Sequence, residues 1–170
     1  MTDQYYSGHI PTPIGQMIAV VNNHGAVVRL DFEEDRRRPL PVSQISITRH
    51  DDQAVAHIAE QLHEYFARER RRFELELAPR GTPFLQSAWQ HLAQVPYGTM
   101  TTYGELAKCA DHKSSARAYG RANAINPISI IVPCHRVIGA NGKLTGYSGG
   151  LDKKEALLQL EGCSFQACLF

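Results

Sequence analysis

The sequence predicts a mixed α/β (α+β) fold in two domains: a small sheet with a helix over residues 1–80, then a mostly helical domain over 81–170. Three observations carry this. "IGQMIAVVNNHGAVVRLDFEED" reads as two strands joined by a tight turn at His24-Gly25. Residues 51–68 place Val55, Ile58, Leu62, Tyr65 and Phe66 at helical spacing. After a Pro/Gly linker at 79–83 the pattern changes from strand-like to helical, and that linker is the predicted boundary.

Each element follows from its residues. "RFELELAPRGTPF" alternates as a short strand before the linker. A helix is expected over 84–94, carrying the single Trp, Trp89, as core. Thr102 and Glu105 form a capping box for a helix over about 103–110. A polar turn, "DHKS", follows, and Ser114 or Ser115 caps a second helix through about Ile125. "IIV" at 130–132 reads as a buried strand, and Asn141-Gly142 as a tight turn. The last helix starts at Asp152, has Glu155 three residues on and stops at Gly162.

The 170 residues are 43% apolar, enough for a core, and no apolar run approaches the length of a membrane span. The N-terminus lacks a signal-peptide core, so a cytoplasmic protein is expected, nucleoid-associated if prokaryotic. Net charge is +1, but its distribution is uneven: −2 over residues 1–80, +4 over 81–150 and −1 over the rest. The arginine runs at 36–38 and 68–72 are interleaved with acids and read as solvated surface. Cys109, Cys134, Cys163 and Cys168 form no CxxC pair and no zinc spacing, so neither a metal nor a disulfide framework is expected.

The two helices across "DHKS" have the spacing of a helix-turn-helix, which many helical hairpins share without binding anything. On the second, Arg117, Gly120, Arg121 and Ala124 share one face, with Ala118, Tyr119, Ala122 and Ile125 toward the core. That face suits close approach to a polyanion; it equally fits an alanine-rich packing face with two solvated arginines.

In "IIVPCHRVIG", Cys134 differs from the other cysteines, which read as small hydrophobes. His135 and Arg136 follow it, and positive neighbours raise the thiolate fraction. Adjacent residues of a strand face opposite ways, so contact between thiol and imidazole requires a turn at Pro133-Cys134 or a bridging water. A basic imidazole also wants an orienting group. Glu161, at a helix C-terminus where the dipole disfavours negative charge, is a candidate.

Together "TTYGELA", "SSARAYGRANAINP", "IIVPCHRVIG" and "GYSGGLDKKEALLQLEG" resemble the O6-alkylguanine-DNA alkyltransferases, or methylated-DNA–protein-cysteine methyltransferases, from about Gly81 to Gly162. The resemblance implies a ribonuclease-H-like N-terminal domain and a C-terminal domain with a helix-turn-helix and an active-site loop. It implies Cys134 as alkyl acceptor, His135 as its base through a water, Glu161 holding the imidazole and Asn126 bracing the turn. Tyr103 would support the flipped nucleotide and protonate the leaving guanine; Val137, Tyr147 and Ser148 would line and read the base. Arg117 would fill the vacated stack, with Ser115, Gly120 and Arg121 completing the DNA-binding face.

The implied activity is irreversible, stoichiometric repair of O6-alkylguanine, and of O4-alkylthymine, in double-stranded DNA. The implied state is a monomer with no cofactor, no membrane and no stable protein partner. Some members bind zinc in the N-terminal domain; no cysteine precedes Cys109 here, so none is expected. Ala124 stands where some members carry a further basic residue, with Arg121 as a substitute. Two alternatives remain, a non-catalytic DNA-binding module or regulator recognising alkylated bases and a Cys-His hydrolase. The acceptor cysteine argues against the first, and the lack of an oxyanion-hole signature against the second.

Overall fold

The structure, a computed structural model, describes residues 4–34, 47–110 and 115–163. The arginine run at 36–38, the "DHKS" turn with Ser114, and Cys168 lie outside the described residues. The chain divides into two compact units: one runs to Arg80 and takes in Pro127–Ser129, the other covers Gly81–Asn126 and continues from Ile130.

The first unit is a four-stranded sheet ordered β3-β2-β1-β4, built from β1 (Tyr5–Thr12), β2 (Gly15–Asn22), β3 (Val27–Phe32) and β4 (Ile47–His50). β1–β2 and β2–β3 are antiparallel, and Gly25 (φ 80°) turns the chain into β3 as expected. β4 pairs parallel to β1. Neither β1 nor β4 is among the strands expected from sequence. A 3-10 turn, Asp52–Val55, leads into α1 (Ala56–Phe66), whose Ile58, Leu62 and Tyr65 are buried. Met17, Ala19 and Val21 of β2 alternate into the core, and Val20 packs with Tyr5, Val28 and Ala78.

The strand expected in "RFELELAPRGTPF" reduces to a bridge of Leu77 to Val27, with Glu76 O and Ala78 N–H bonded to Val27. Upstream of it, Gln61 side-chain bonds hold Glu74, and Pro79 follows closely, so no ladder grows. Leu30 makes a second such bridge, to Ile128.

The second unit holds α2 (Pro83–Ala93), α3 (Tyr103–Lys108), α4 (Ala116–Ala124) and α5 (Leu151–Leu160). The capping box at Thr102 and Glu105 forms, and Ser115 accepts from Ala118 N–H at the start of α4. α3 packs on α4, and Trp89 is buried, its indole N–H donating to Ala122 O at 2.9 Å. Ile125, expected in the core, is instead 40% exposed, because the helix has ended at Ala124. α5 starts at Leu151 rather than Asp152, with Gly150 as the capping position. A two-stranded parallel pairing joins β5 (Thr101–Thr102) to β6 (Val137–Ile138). That pairing sets the start of α3 beside the segment following Cys134.

Candidate active site

The expected strand at 130–132 is a turn. Ile130 has φ 72°, a left-handed conformation that β-branched residues rarely adopt and that costs on the order of 1–3 kcal/mol. The run is apolar because Ile130 and Val132 are buried, not because it pairs. Pro133 (φ −82°, ψ 65°) makes an inverse γ-turn, with Cys134 N–H donating to Val132 O at 2.8 Å. Cys134–Arg136 then forms a 3-10 turn leading into β6. Asn126 Nδ2 donates to the same Val132 carbonyl at 2.8 Å, which ties the turn to the end of α4. A turn therefore stands at Pro133-Cys134, one of the two arrangements that the sequence left open.

Cys134 is 2% exposed and His135 fully buried. His135 Nε2–H donates to Glu161 Oε1 at 2.7 Å, which leaves Nδ1 as the ring's acceptor. That buried Nδ1 has no hydrogen-bond partner among the described residues. Burial lowers the imidazole pKa most; Glu161 opposes this, while the charges of Arg136 and Lys154 add to it. The ring is therefore neutral and able to accept a proton.

Burial alone would raise Glu161, but hydrogen bonds from His135 and Arg136 reverse this and hold its carboxyl well below the usual range. Arg136 donates to both carboxylate oxygens at 2.8 Å, and Gly98 N–H donates to Oε2 at 3.2 Å. Gly98 has φ 74°, and a Cβ there would come 3.1 Å from Glu161 O, so glycine fits both the conformation and the approach. With His135 neutral, Arg136 balances the Glu161 charge. It also donates to Val95 O at 2.6 Å and lies 5.8 Å from the Tyr97 ring centroid.

Arg136 was expected to assist the thiol directly, but it is committed to Glu161. Lys154, which sequence reasoning missed, carries a charge coupled to that of Cys134. Lys154 is buried, and burial pushes its pKa down to about 8, partly offset by the charge of Cys134. Its Nζ donates to Val137 O at 2.5 Å and Thr145 O at 2.6 Å. A signal existed: Lys154, Leu157, Leu158 and Glu161 fall at i, i+3, i+4 and i+7, the buried face of α5.

Tyr103 opens α3 next to β5, and its hydroxyl lies 3.5 Å from Thr145 Oγ1. Val137 and Tyr147 are buried, and Ser148 is half-buried in the segment that Gly150 N–H closes on Tyr147 O. Hydrogen bonds thus link His135 to Glu161, and Asn126 to the Val132 carbonyl that Cys134 N–H also reaches, while Thr145 lies beside Tyr103 and Lys154 ties it to Val137. The α4 residues form a separate surface. Ser115, Arg117 and Arg121 are exposed, Gly120 is half-buried, and the three exposed side chains border an open cavity of about 670 Å³ with Phe84 and Ile125. Cys109 is exposed and Cys163 buried, its thiol pushed up first by burial and then by Glu161.

A buried thiol on a tight turn, next in sequence to a buried imidazole that a carboxylate holds, is an arrangement suited to cysteine chemistry. Residues 5–79 match the family model for the ribonuclease-like domain of 6-O-methylguanine DNA methyltransferase, and residues 83–163 match the model for its DNA binding domain. The chain belongs to the 6-O-methylguanine DNA methyltransferase family. It is 43% identical over 157 residues to the methylated-DNA–protein-cysteine methyltransferase of Methanosarcina acetivorans, covering 92% of this chain and 98% of the relative. It is 46% identical over 158 residues to that of Mycobacterium bovis, covering 89% of each. The crystal structure of Mycobacterium tuberculosis O6-methylguanine methyltransferase superposes with a TM-score of 0.82 at 43% identity, covering 92% of each chain. The M. tuberculosis OGT structure in complex with DNA gives 0.81 at 42% identity over the same shares.

Proposed function

We propose that this chain repairs O6-alkylguanine, and O4-alkylthymine, in double-stranded DNA by moving the alkyl group irreversibly to Cys134. The observation that carries this reading is the buried, unpartnered Nδ1 of a neutral His135 whose other nitrogen is fixed on Glu161. The Cys134 proton passes to that nitrogen through a water. The thiolate attacks the saturated alkyl carbon, an S–C bond forms, and the C–O6 bond breaks with its electrons returning to the base. The Tyr103 hydroxyl gives the ring a proton, so guanine leaves neutral. Asn126 holds the turn, Lys154 fixes the Val137 and Thr145 carbonyls, and Tyr147 and Ser148 line the base.

A paired base hides its O6, so the nucleotide must be extruded at a cost of a few kcal/mol. In this reading α3 and α4 act as a helix-turn-helix in the minor groove, where the small residues of α4 allow close approach and Arg117 fills the vacated stack. Ser115, Gly120 and Arg121 meet the backbone. In this reading the chain acts as a cytoplasmic monomer on alkylated double-stranded DNA, with no cofactor in the transfer step and no stable protein partner. No helix among the described residues is long and apolar enough to cross a membrane.

Incubation with a duplex carrying one O6-methylguanine tests the proposal. Restoration of guanine by the wild type and none by Cys134→Ser is expected. Tight binding without restoration would establish the regulator, and product far beyond stoichiometry the hydrolase.

A further inference from the structure

The sheet unit gathers a second set of chemistry-bearing side chains, remote in sequence from the cysteine turn. His9 of β1, His50 of β4 and Asp52 of the following 3-10 turn each place one ligand atom within 4.8 Å of the others. His50 Nε2 lies 3.3 Å from Asp52 Oδ1, and the imidazole centroids are 5.1 Å apart. Glu33, just past β3, brings Oε1 to 3.8 Å from His9 Nε2. All four side chains are accessible from solvent.

Backbone bonding fixes these residues. Parallel pairing sets His50 against Ser7, and Asp51 N–H donates to Ser7 O at 2.8 Å. The Asp52 carboxylate continues this ladder by accepting His9 N–H at 2.8 Å. A Cβ at Gly8 would run into Val55, so glycine there lets the 3-10 turn lie against β1. Asp52 is therefore anchored beside both rings rather than loose on the surface.

Two imidazoles and a carboxylate form a donor set for borderline transition ions, whereas magnesium and calcium take oxygen donors. Zinc–ligand bonds of about 2.0–2.2 Å put tetrahedral donors roughly 3.3 Å apart, so small side-chain rotations close the present spacing. We propose that His9, His50 and Asp52 bind a divalent ion of the zinc class, with Glu33 closing the fourth position. Sequence reasoning expected no metal because the cysteines are absent or misplaced; this set uses none, and only the β1–β4 pairing assembles it. His9 and His50 are far apart in the chain, so an ion joining them stabilises the folded state.

The test uses the full chain, stripped with chelator, and zinc as the probe. One bound zinc per chain and a zinc-dependent rise in melting temperature are expected. His50→Gln should weaken binding about tenfold or more and abolish the rise, with alkyl transfer unchanged. Asp52→Asn should do the same, and it keeps the oxygen that accepts His9 N–H, so the fold is preserved. Cobalt as a spectroscopic substitute should give visible d–d bands without sulfur charge transfer. No bound zinc, a melting shift that survives both variants, or zinc lost in Cys109→Ser or Cys134→Ser would each overturn the proposal.

Discussion

Glu161 accepts hydrogen bonds from His135, Arg136 and Gly98, and every donor is held by the fold. Removing one partner of a buried ion pair typically costs about 3–5 kcal/mol, so Glu161→Gln should destabilise the chain by that order. A carboxyl held below its usual range stabilises the fold above that range, and the contribution is lost as pH falls through its lowered pKa. The stability gap between wild type and variant should therefore be flat above about pH 4.3 and narrow below it in denaturant titrations. The variant should also need higher pH for fast transfer, since His135 loses the carboxylate that supports its basicity. An unchanged pH–rate profile would remove Glu161 from the relay. Lys154 makes a different prediction. Each hydrogen bond to a charged group is worth about 1.5–3 kcal/mol, so Lys154→Met should lower stability by at least that much. It should also slow reaction with free O6-benzylguanine, because a positive charge coupled to Cys134 is gone. A normal rate in a folded Lys154→Met would leave Lys154 a purely structural role.

At the scale of elements, the proposed function gives α4 and the Cys134 turn separable tasks. Arg117→Ala should slow repair of duplex DNA far more than reaction with free O6-benzylguanine, which needs no flipping. Equal losses would assign Arg117 to the fold. The helices were legible because their signals are local: the Thr102–Glu105 box, the Ser115 cap and the apolar spacing of α1 all appear as written. The strands were less so. β4 pairs in parallel with a partner some forty residues away, and no local pattern encodes such pairing. The β-branched run at 130–132 misled because burial in a strained turn and burial in a strand select the same residues. Cys134, His135 and Glu161 stood out by type and position, whereas Asn126 entered only through the family resemblance and Lys154 was not singled out at all.

For the whole molecule, the proposed reaction would convert the buried Cys134 thiol into a larger thioether. Cys134 sits in a packed turn tied to Asn126 and to the end of α4. Overpacking typically costs about 1–3 kcal/mol, so the alkylated chain should melt at a lower temperature than the free one. An unchanged melt would mean that the site accommodates the group without strain. The thioether is a poor leaving group in water, and the motif around Cys134 places no second cysteine to resolve it, so each chain should react once. Intact-mass spectrometry with peptide mapping, on chain titrated with O6-methylguanine duplex, tests this most directly. One added methyl per chain, confined to the peptide holding Cys134, and repaired DNA that plateaus at one equivalent are expected. Methyl groups on another residue, or repair continuing past one equivalent with the chain unmodified, would contradict this.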